Sequence, residues 1–409
     1  MTSMTNRAWL AMLLGTSVLA GCGSEEPPPV DDGTFRPMVE LGRHSVTAQD
    51  TRQVVPSDGL PAETVPQHSN NNLDVIRHAG RVFLAWRTAP NHFANPDTIL
   101  YVVSSEDEVT WRYETEYAIG TDLREPRFLA VGDTLFLYMS VLGVSETQFQ
   151  PMGVRYARLD AGQAWSALTE LYGDDTLLWR TTTVPDGRHF MTAYNGGENE
   201  YLFNGEPLQV HFRTSLDGVS WTPADPDGSM VYEGGGSETA FAFAESGELF
   251  AVIRNEAADT EGLGSRVCRA PADDLGNWTC NADFKKYDSP FMFEYDGEVY
   301  LLGRRNLTET GFFGAEGLTN AVVASLRYVA APKRCSLWRI VQDELRVAYI
   351  TDLPSNGDTC FPSVIAGSEP GEFFVYDYSS DPEGEPLAWR PGQLGNTQIY
   401  RHVLRFRRR

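Results

Sequence analysis

One pattern recurs six times along this chain: an apolar strand, a turn with glycine, then a second apolar strand ending in polar residues. The copies are residues 73–76 and 83–87 about Gly80, 126–129 and 135–138 about Gly132, 181–184 and 190–194 about Gly187, 241–243 and 249–254 about Gly247, 290–293 and 299–302 about Gly297, and 362–365 and 373–376 about Gly371. Each period leaves room for two further strands, such as residues 99–103 or 210–213. Four strands per period of ~40–60 residues is the pattern of a β-propeller blade. The expectation is therefore an all-β, six-bladed β-propeller of four-stranded antiparallel blades, with five blades plus an irregular segment as the alternative. The last interval is long, which suggests a surface insertion over residues 311–326. Past the sixth hairpin one clear strand remains, 398–406, so a segment before His68 is expected to close that blade.

Composition agrees with short strands and many turns, with 37 Gly, 24 Pro and 11% aromatics in 409 residues. The formal net charge is −23 with only three lysines, which excludes a nucleic-acid partner that needs a basic surface. Nothing before the first copy reads as core. Arg7 precedes an apolar run, 9–20, that is too short to span a bilayer and reads as a signal-peptide h-region. Leu19-Ala20-Gly21-Cys22 resembles the lipobox of bacterial lipoproteins, which implies lipidation of Cys22. A charged, proline-rich stretch, 25–33, follows and cannot build a core. The division expected is a signal peptide at 1–21, a flexible tether at 22–50 and one propeller domain at 51–409. The chain would be exported and lipid-anchored, with no aspartate after Cys22, which favours the bacterial outer membrane on its periplasmic or outer side.

Four cysteines remain: Cys268, Cys280, Cys335 and Cys360. An even number in an exported chain implies two disulfides. Of the three connectivities, pairing by sequence neighbour, Cys268–Cys280 and Cys335–Cys360, is favoured. No Cys-x-x-Cys or His-pair spacing supports zinc, and no Asp-x-Asp-x-Asp run supports calcium, so no metal or other cofactor is expected.

In a propeller, residues just before each innermost strand converge on the central axis with those just after its hairpin partner. At the starts of the inner strands lie Asn71, Asn72, Asp74, Arg124, Glu125, Trp179, Arg180, Ser237, Glu238, Tyr287, Asp288 and Asp358. Leaving the partner strands are Arg87, His92, Tyr194, Glu198, Arg254, Asn255, Glu256, Arg304, Arg305, Asn306, Asp377 and Tyr378. Crowded carboxylates suit glycoside hydrolysis, in which one protonates the leaving oxygen while another attacks or activates water. Crowding also spreads their pKa values apart, which assigns the acid and base. Glu125, Glu238, Asp288 and Asp358 are the candidate catalytic groups. Arg87, Arg124, Arg180, Arg254, Arg304 and Arg305 would hold a hydroxyl-rich or carboxylate-bearing substrate through forked hydrogen bonds, with Trp179, Tyr194 and Tyr378 as flat apolar surface for a sugar ring. Structural ion pairs between blades are the competing explanation for any one of these residues. Gly-x-Ser-x-Gly, phosphate-loop and His-Glu-x-x-His motifs are absent from the sequence.

Ser215-Leu216-Asp217-Gly218-Val219-Ser220-Trp221 resembles the Asp-box of the sialidase superfamily, and Ser105-Glu106-Asp107-Glu108-Val109-Thr110-Trp111 is a second copy without its glycine. Glu238 lies 16 residues before Arg254 across a strand pair, as a glutamate and a substrate-binding arginine do in sialidases, and Arg304-Arg305-Asn306 is similar to the segment of their third arginine. The resemblance covers residues 70–406 as fold and implies an exo-glycosidase acting on an extracellular glycan. It departs at Asn71-Asn72-Leu73-Asp74, where sialidases carry their first arginine, and at residues 358–363, where their nucleophilic tyrosine is missing. Arg124-Glu125-Pro126 resembles instead the Arg-Asp-Pro motif of the invertase and arabinanase relatives. A monomer acting on a carbohydrate is expected, touching the membrane only through its anchor. A non-catalytic lipoprotein that binds a glycan or a protein through the same rim is the alternative.

Overall fold

The computed structural model describes residues 37–146, 148–173, 175–196, 206–307 and 318–409. The expected signal peptide, Cys22, most of the expected tether, Glu198 and residues 311–317 of the expected insertion lie outside the described residues.

Six four-stranded antiparallel blades form the ring. Blade 1 holds β2 (Ser69–His78), β3 (Arg81–Ala89), β4 (Ile99–Ser105) and β5 (Arg112–Tyr117). Blade 2 holds β6 (Asp122–Val131), β7 (Thr134–Leu142), β8 (Pro151–Leu159) and β9 (Thr169–Tyr172). In blade 3, β10 (Thr176–Thr183), β11 (His189–Asn195) and β12 (Leu208–Ser215) are flanked by two short partners, β13 (Thr222–Pro223) and β14 (Met230–Gly234). Blade 4 runs β15 (Gly236–Phe243), β16 (Leu249–Asn255), β17 (Arg266–Ala270) and β18 (Thr279–Ala282). Blade 5 runs β19 (Asp288–Tyr295), β20 (Glu298–Asn306), β21 (Lys333–Val341) and β22 (Arg346–Asp352). Blade 6 takes β23 (Ser363–Ala366), β24 (Glu372–Ser379) and β25 (Gln398–Arg408), and its fourth strand is β1 (His44–Val55). That closing strand precedes His68, as expected, and pairs with β25 from His44↔Arg408 to Val55↔Ile399. It begins at His44, inside the segment read from sequence as tether.

Blade stacking explains why the strands read as continuous apolar runs. Successive side chains point to opposite faces, and in a propeller both faces are dry. On β20, Val299 and Leu301 enter the core shared with blade 4, while Tyr300 and Leu302 enter the core shared with blade 6. Six such cores, one per blade interface, close the ring. The inner hairpins turn tightly, as at Asp296-Gly297, where φ values of 49° and 77° match a two-residue primed turn and favour glycine second.

Both disulfides join sequence neighbours. Cys268 and Cys280 are cross-strand partners on β17 and β18 with Cα atoms 4.0 Å apart. Cys335 on β21 reaches Cys360 before β23, Cα–Cα 4.9 Å, and so links blade 5 to blade 6. Both Asp-box turns are built. Asp217 accepts from the Val219 and Ser220 amides at 2.8 and 2.7 Å, and Asp107 from Val109 and Thr110 at the same distances. These amide donors hold both carboxyls well below the usual range. The insertion between β20 and β21 carries a helix, α1 (Leu318–Ala330), whose Ala321 and Ala324 pack on Ala258 and Leu263 of blade 4. A short helix, α2 (Trp389–Leu394), lies between β24 and β25.

Candidate functional site

The inner strands share one local distortion, at the same end. Pairing skips residues between Asn71 and Leu73, Arg124 and Arg127, Leu178 and Arg180, Gly236 and Thr239, and Asp288 and Phe291. Asn72, Glu125, Ser289 and Cys360 sit there with φ of 44°, 55°, 50° and 78°. A bulge of this kind re-aims side chains, here toward the axis, and left-handed backbone at non-glycine residues costs roughly 1–3 kcal/mol each. Proline follows two of the four directly, at Pro126 and Pro290, and stands one residue further on at Pro362, where no ladder donor is needed.

Beneath the bulges the axis is filled. Trp179 is fully buried, and its Nε1 donates to the Pro290 carbonyl at 3.1 Å. Arg180 reaches across from blade 3 to the Pro362 carbonyl at 2.8 Å and lies 3.8 Å from Asp74. Arg127 donates to the Leu73 and Trp179 carbonyls and stacks 4.3 Å from the Phe361 ring centroid. Burial lowers its pKa to about 10 and holds that of Arg180 well below the usual value. Arg180, expected to bind substrate, is thus part of a floor that ties blades 1, 2, 3, 5 and 6 together.

Above the floor, blades 4 and 5 carry an interlocked charge cluster. Glu238 Oε1 takes Arg254 Nη1 at 2.5 Å, and its Oε2 accepts the Ser289 amide at 2.9 Å. Arg254 Nε is 2.6 Å from Glu256 and 3.6 Å from Asp288. Lys286 Nζ lies 3.5 Å from Asp288 and 3.8 Å from Glu256. Burial pulls Asp288 upward, but Lys286, Arg254 and Arg304 outweigh it and hold the carboxyl below its usual value. Arg304 spans to blade 6, donating to the Thr359 carbonyl at 2.7 Å and lying over the Trp389 ring at 4.6 Å. Helix α1 delivers Tyr328 against Asp288, Arg304 and Arg254, and burial raises its phenol well above the ordinary value. Lys333 caps the end of that helix, donating to Ala331 and Tyr328 carbonyls.

On the side of blades 6, 1 and 2, Asp358 is fully buried and saturated. It takes His92 Nδ1 at 2.7 Å, Trp389 Nε1 at 2.9 Å and the Tyr378 hydroxyl at 3.0 Å. Arg87, fully buried, pairs with Asp122 at 2.7 Å, and Arg124 reaches the other oxygen of that carboxylate. Arg124 also donates to the His92 carbonyl at 3.2 Å.

Glu125 differs from all of these. Its carboxyl is buried without an arginine contact within ion-pair distance, and its Oε2 has no hydrogen-bond partner among the described residues. Burial first, and then the charge of Glu238, raise its pKa to about 7.

The structure thus gathers Glu125, Glu238, Arg124, Arg254, Arg304, Asp288, Asp358 and Tyr378 at one end of the axis. Besides Arg180 and Trp179, which belong to the floor, three expected residues do not join them as binders. Arg305 grips Asp352 within blade 5 at 2.7 and 3.0 Å. Tyr194 is buried in the apolar core between blades 3 and 4, because residue alternation on β11 turns it away from the axis. Arg87 has no exposed surface. Sequence reading missed Tyr328, Lys286, Lys333 and Trp389. A rare lysine at the end of the longest connection was the available signal for Lys333, whereas the helix carrying Tyr328 breaks the repeat. Among the described residues the one group with metal-ligand spacing is Cys335, Cys360 and Asp377, and its two sulfurs are bonded to each other.

No protein-family model matches the chain, and no curated protein matches it. Solved structures do. A protein of unknown function from Dyadobacter fermentans shares 14% identity over 89% of this chain and 100% of its own, with a TM-score of 0.61. Trypanosoma rangeli sialidase, in complex with sialic acid, shares 12% identity over 88% of this chain, TM-score 0.55. The chain spans 58% of that sialidase. Penicillium chrysogenum α-L-arabinanase, complexed with arabinobiose, aligns over 87% of this chain and 98% of its own at 11% identity, TM-score 0.50. At these identities the likeness is one of fold: the chain is a sialidase-like six-bladed propeller.

Proposed function

We propose that this propeller is a glycoside hydrolase acting on an extracellular glycan. The observation that carries the reading is the contrast between Glu125 and Glu238. One is a buried carboxyl held protonated to about pH 7, and the other has its oxygens held by Arg254 and the Ser289 amide. Two carboxyl groups whose surroundings separate them in this way are what glycoside hydrolysis needs. Glu125 protonates the departing oxygen. Glu238 faces the positive charge that develops on the sugar, and Arg124, Arg254 and Arg304 supply donors for its substituents. The sialidase and the arabinanase of similar fold, solved with sialic acid and with arabinobiose, support a sugar as the class of ligand.

Export is supported by the two disulfides, and anchoring through Cys22 belongs to the same proposal. β1 begins at the face opposite the site, where His44 meets Asp296 and Glu298 of the β19–β20 turn. A tether leaving from there would point the site away from the membrane.

The test is a screen of the purified chain on aryl glycosides, sialosides included, and on polysaccharides. Wild type should release sugar, and Glu238→Gln and Glu125→Gln should each slow release by ~10²-fold or more. Equal rates in wild type and variants would remove the assignment. A second reading, a glycan-binding lipoprotein without catalysis, is favoured by the ion pairs that engage Asp288 and Asp358 inside the protein. Saturable binding on a glycan array with no cleavage would select it.

A further inference from the structure

Glu238 has both oxygens engaged, so the reaction above has a proton donor and an anionic partner but no free proton acceptor. His92, in the β3–β4 connection, has the features of one. Its Nδ1 lies 2.7 Å from Asp358 Oδ2, a spacing that places the ring proton on Nδ1 and leaves the Nε2 lone pair outward. Asp358 has no exposed side-chain surface, and its second oxygen takes Tyr378 and Trp389, so it is fixed in place. The imidazole retains 15% of its side-chain surface, and Nε2 has no hydrogen-bond partner among the described residues. Its backbone is pinned on both sides, the amide donating to Gln393 of α2 at 3.2 Å and the carbonyl accepting from Arg124.

His92 is linked to the Glu125 backbone through two asparagines. The Glu125 amide donates to Asn72 Oδ1 at 3.3 Å, Asn72 Nδ2 reaches Asn71 Oδ1 at 3.3 Å, and Asn71 Nδ2 lies 3.4 Å from His92 Nδ1. The His92 ring and the Glu125 backbone amide therefore flank one bulge, at the start of β2. From this arrangement we infer that His92 is the proton acceptor of the site and that Asp358 is its positioning residue. The inference rests on the hydrolase reading for its reaction, but the activated imidazole itself does not.

In the step, a water oxygen attacks the anomeric carbon and gives a proton to His92 Nε2. The glycosidic C–O bond breaks, and Glu125 delivers its proton to the leaving oxygen. One water is consumed, and the proton on His92 returns to Glu125 through solvent. Asp358, Arg124, Arg87, Asp122 and Tyr378 face His92 from the surrounding strands, and Arg390 of α2 covers the adjacent Phe93 ring. Burial favours the neutral imidazole and outweighs the pull of Asp358, so the ring is a competent acceptor at neutral pH.

Two measurements on the full chain test this. The first is hydrolysis by wild type, His92→Gln, and His92→Ala with and without added imidazole. A kcat loss of ~10²-fold or more, with Ala restored in part by imidazole, supports the role, since a structural loss would not respond to imidazole. Unchanged kcat in His92→Gln alongside an active wild type overturns it and leaves the hydrolase reading standing. The second is the rate of carbethoxylation of His92 by diethyl pyrocarbonate, followed by mass spectrometry, which needs no substrate. His92 should react several-fold faster than in Asp358→Asn with the fold retained. Equal rates overturn the dyad, whether or not any glycoside is cleaved. If Asp358→Asn does not fold, comparison with the other histidines of the wild-type chain decides: His92 must be the fastest. Absence of any hydrolysis by wild type, with a fast Asp358-dependent His92, would count against the hydrolase reading alone.

Discussion

Glu108 offers a case where a consensus substitution should harm the protein. It occupies the position that Gly218 holds in the other Asp-box turn, with φ of 60° against 75°. Glycine there would relieve a left-handed strain of about 1 kcal/mol. The glutamate, however, bridges the ring closure. Its Oε2 takes the Tyr376 hydroxyl of β24 at 2.7 Å and Arg401 of β25 at 3.3 Å, and its Oε1 takes Arg77 at 3.3 Å. The equivalent tyrosine of blade 2, Tyr138, instead donates to the Gly218 carbonyl at 2.6 Å. Removing a buried carboxylate from cationic and hydroxyl partners costs roughly 3–5 kcal/mol. Arg77 is half-exposed, so its share is small. The losses win, and Glu108→Gly should destabilise by a net ~2–4 kcal/mol, which in a chain of this length lowers Tm by only about 2–5 °C. Urea denaturation reads the difference more directly, and a double-mutant cycle with Tyr376→Phe should show coupling of ~1 kcal/mol or more. A Glu108→Gly protein as stable as wild type, or more so, would refute the reasoning.

Removing Cys335 and Cys360 together should cost roughly 3.5 kcal/mol, and removing Cys268 and Cys280 about 3, from loops of 25 and 12 residues; a reversed order in denaturation midpoints would contradict the loop-entropy account. Glu125 has a folded-state pKa of about 7, above its unfolded value of 4.5, so the folded state binds the extra proton between them. Its contribution is fully present below pH 4.5 and is lost as pH rises through 7, hence Glu125→Gln should gain stability over wild type at pH 8 relative to pH 5, by ~1–3 kcal/mol. Parallel stability–pH curves for the two proteins would exclude a perturbed Glu125.

The blades were legible because both faces of the inner strands are dry, so runs such as residues 299–302 stand out against glycine turns. The closing strand was legible by subtraction, since blade 6 lacked a partner for residues 398–406. β1 itself, HSVTAQDTRQVV, has an exposed outer edge and few apolar residues, so its start at His44 left no clear mark. At the site, Glu125 and Glu238 could be named from their positions before inner strands. Whether an arginine binds ligand or holds the ring could not. Arg124, Arg180 and Arg305 occupy similar sequence positions, yet one borders the site, one fills the axis and one grips Asp352. Their roles depend on bulges and on partners more than 40 residues distant, such as Pro290 and Pro362 for Arg180.

The central claim, that Glu125 donates the proton to the leaving group, is tested most directly by leaving-group dependence. On whichever glycoside the wild type cleaves, kcat/KM would be compared for a 4-methoxyphenyl and a 2,4-dinitrophenyl aglycone in wild type and Glu125→Ala. The account predicts that the variant loses ~10²–10⁴-fold on the poor leaving group and stays close to wild type on the activated one, which departs without protonation. An equal loss on both aglycones, or none on either, would contradict it.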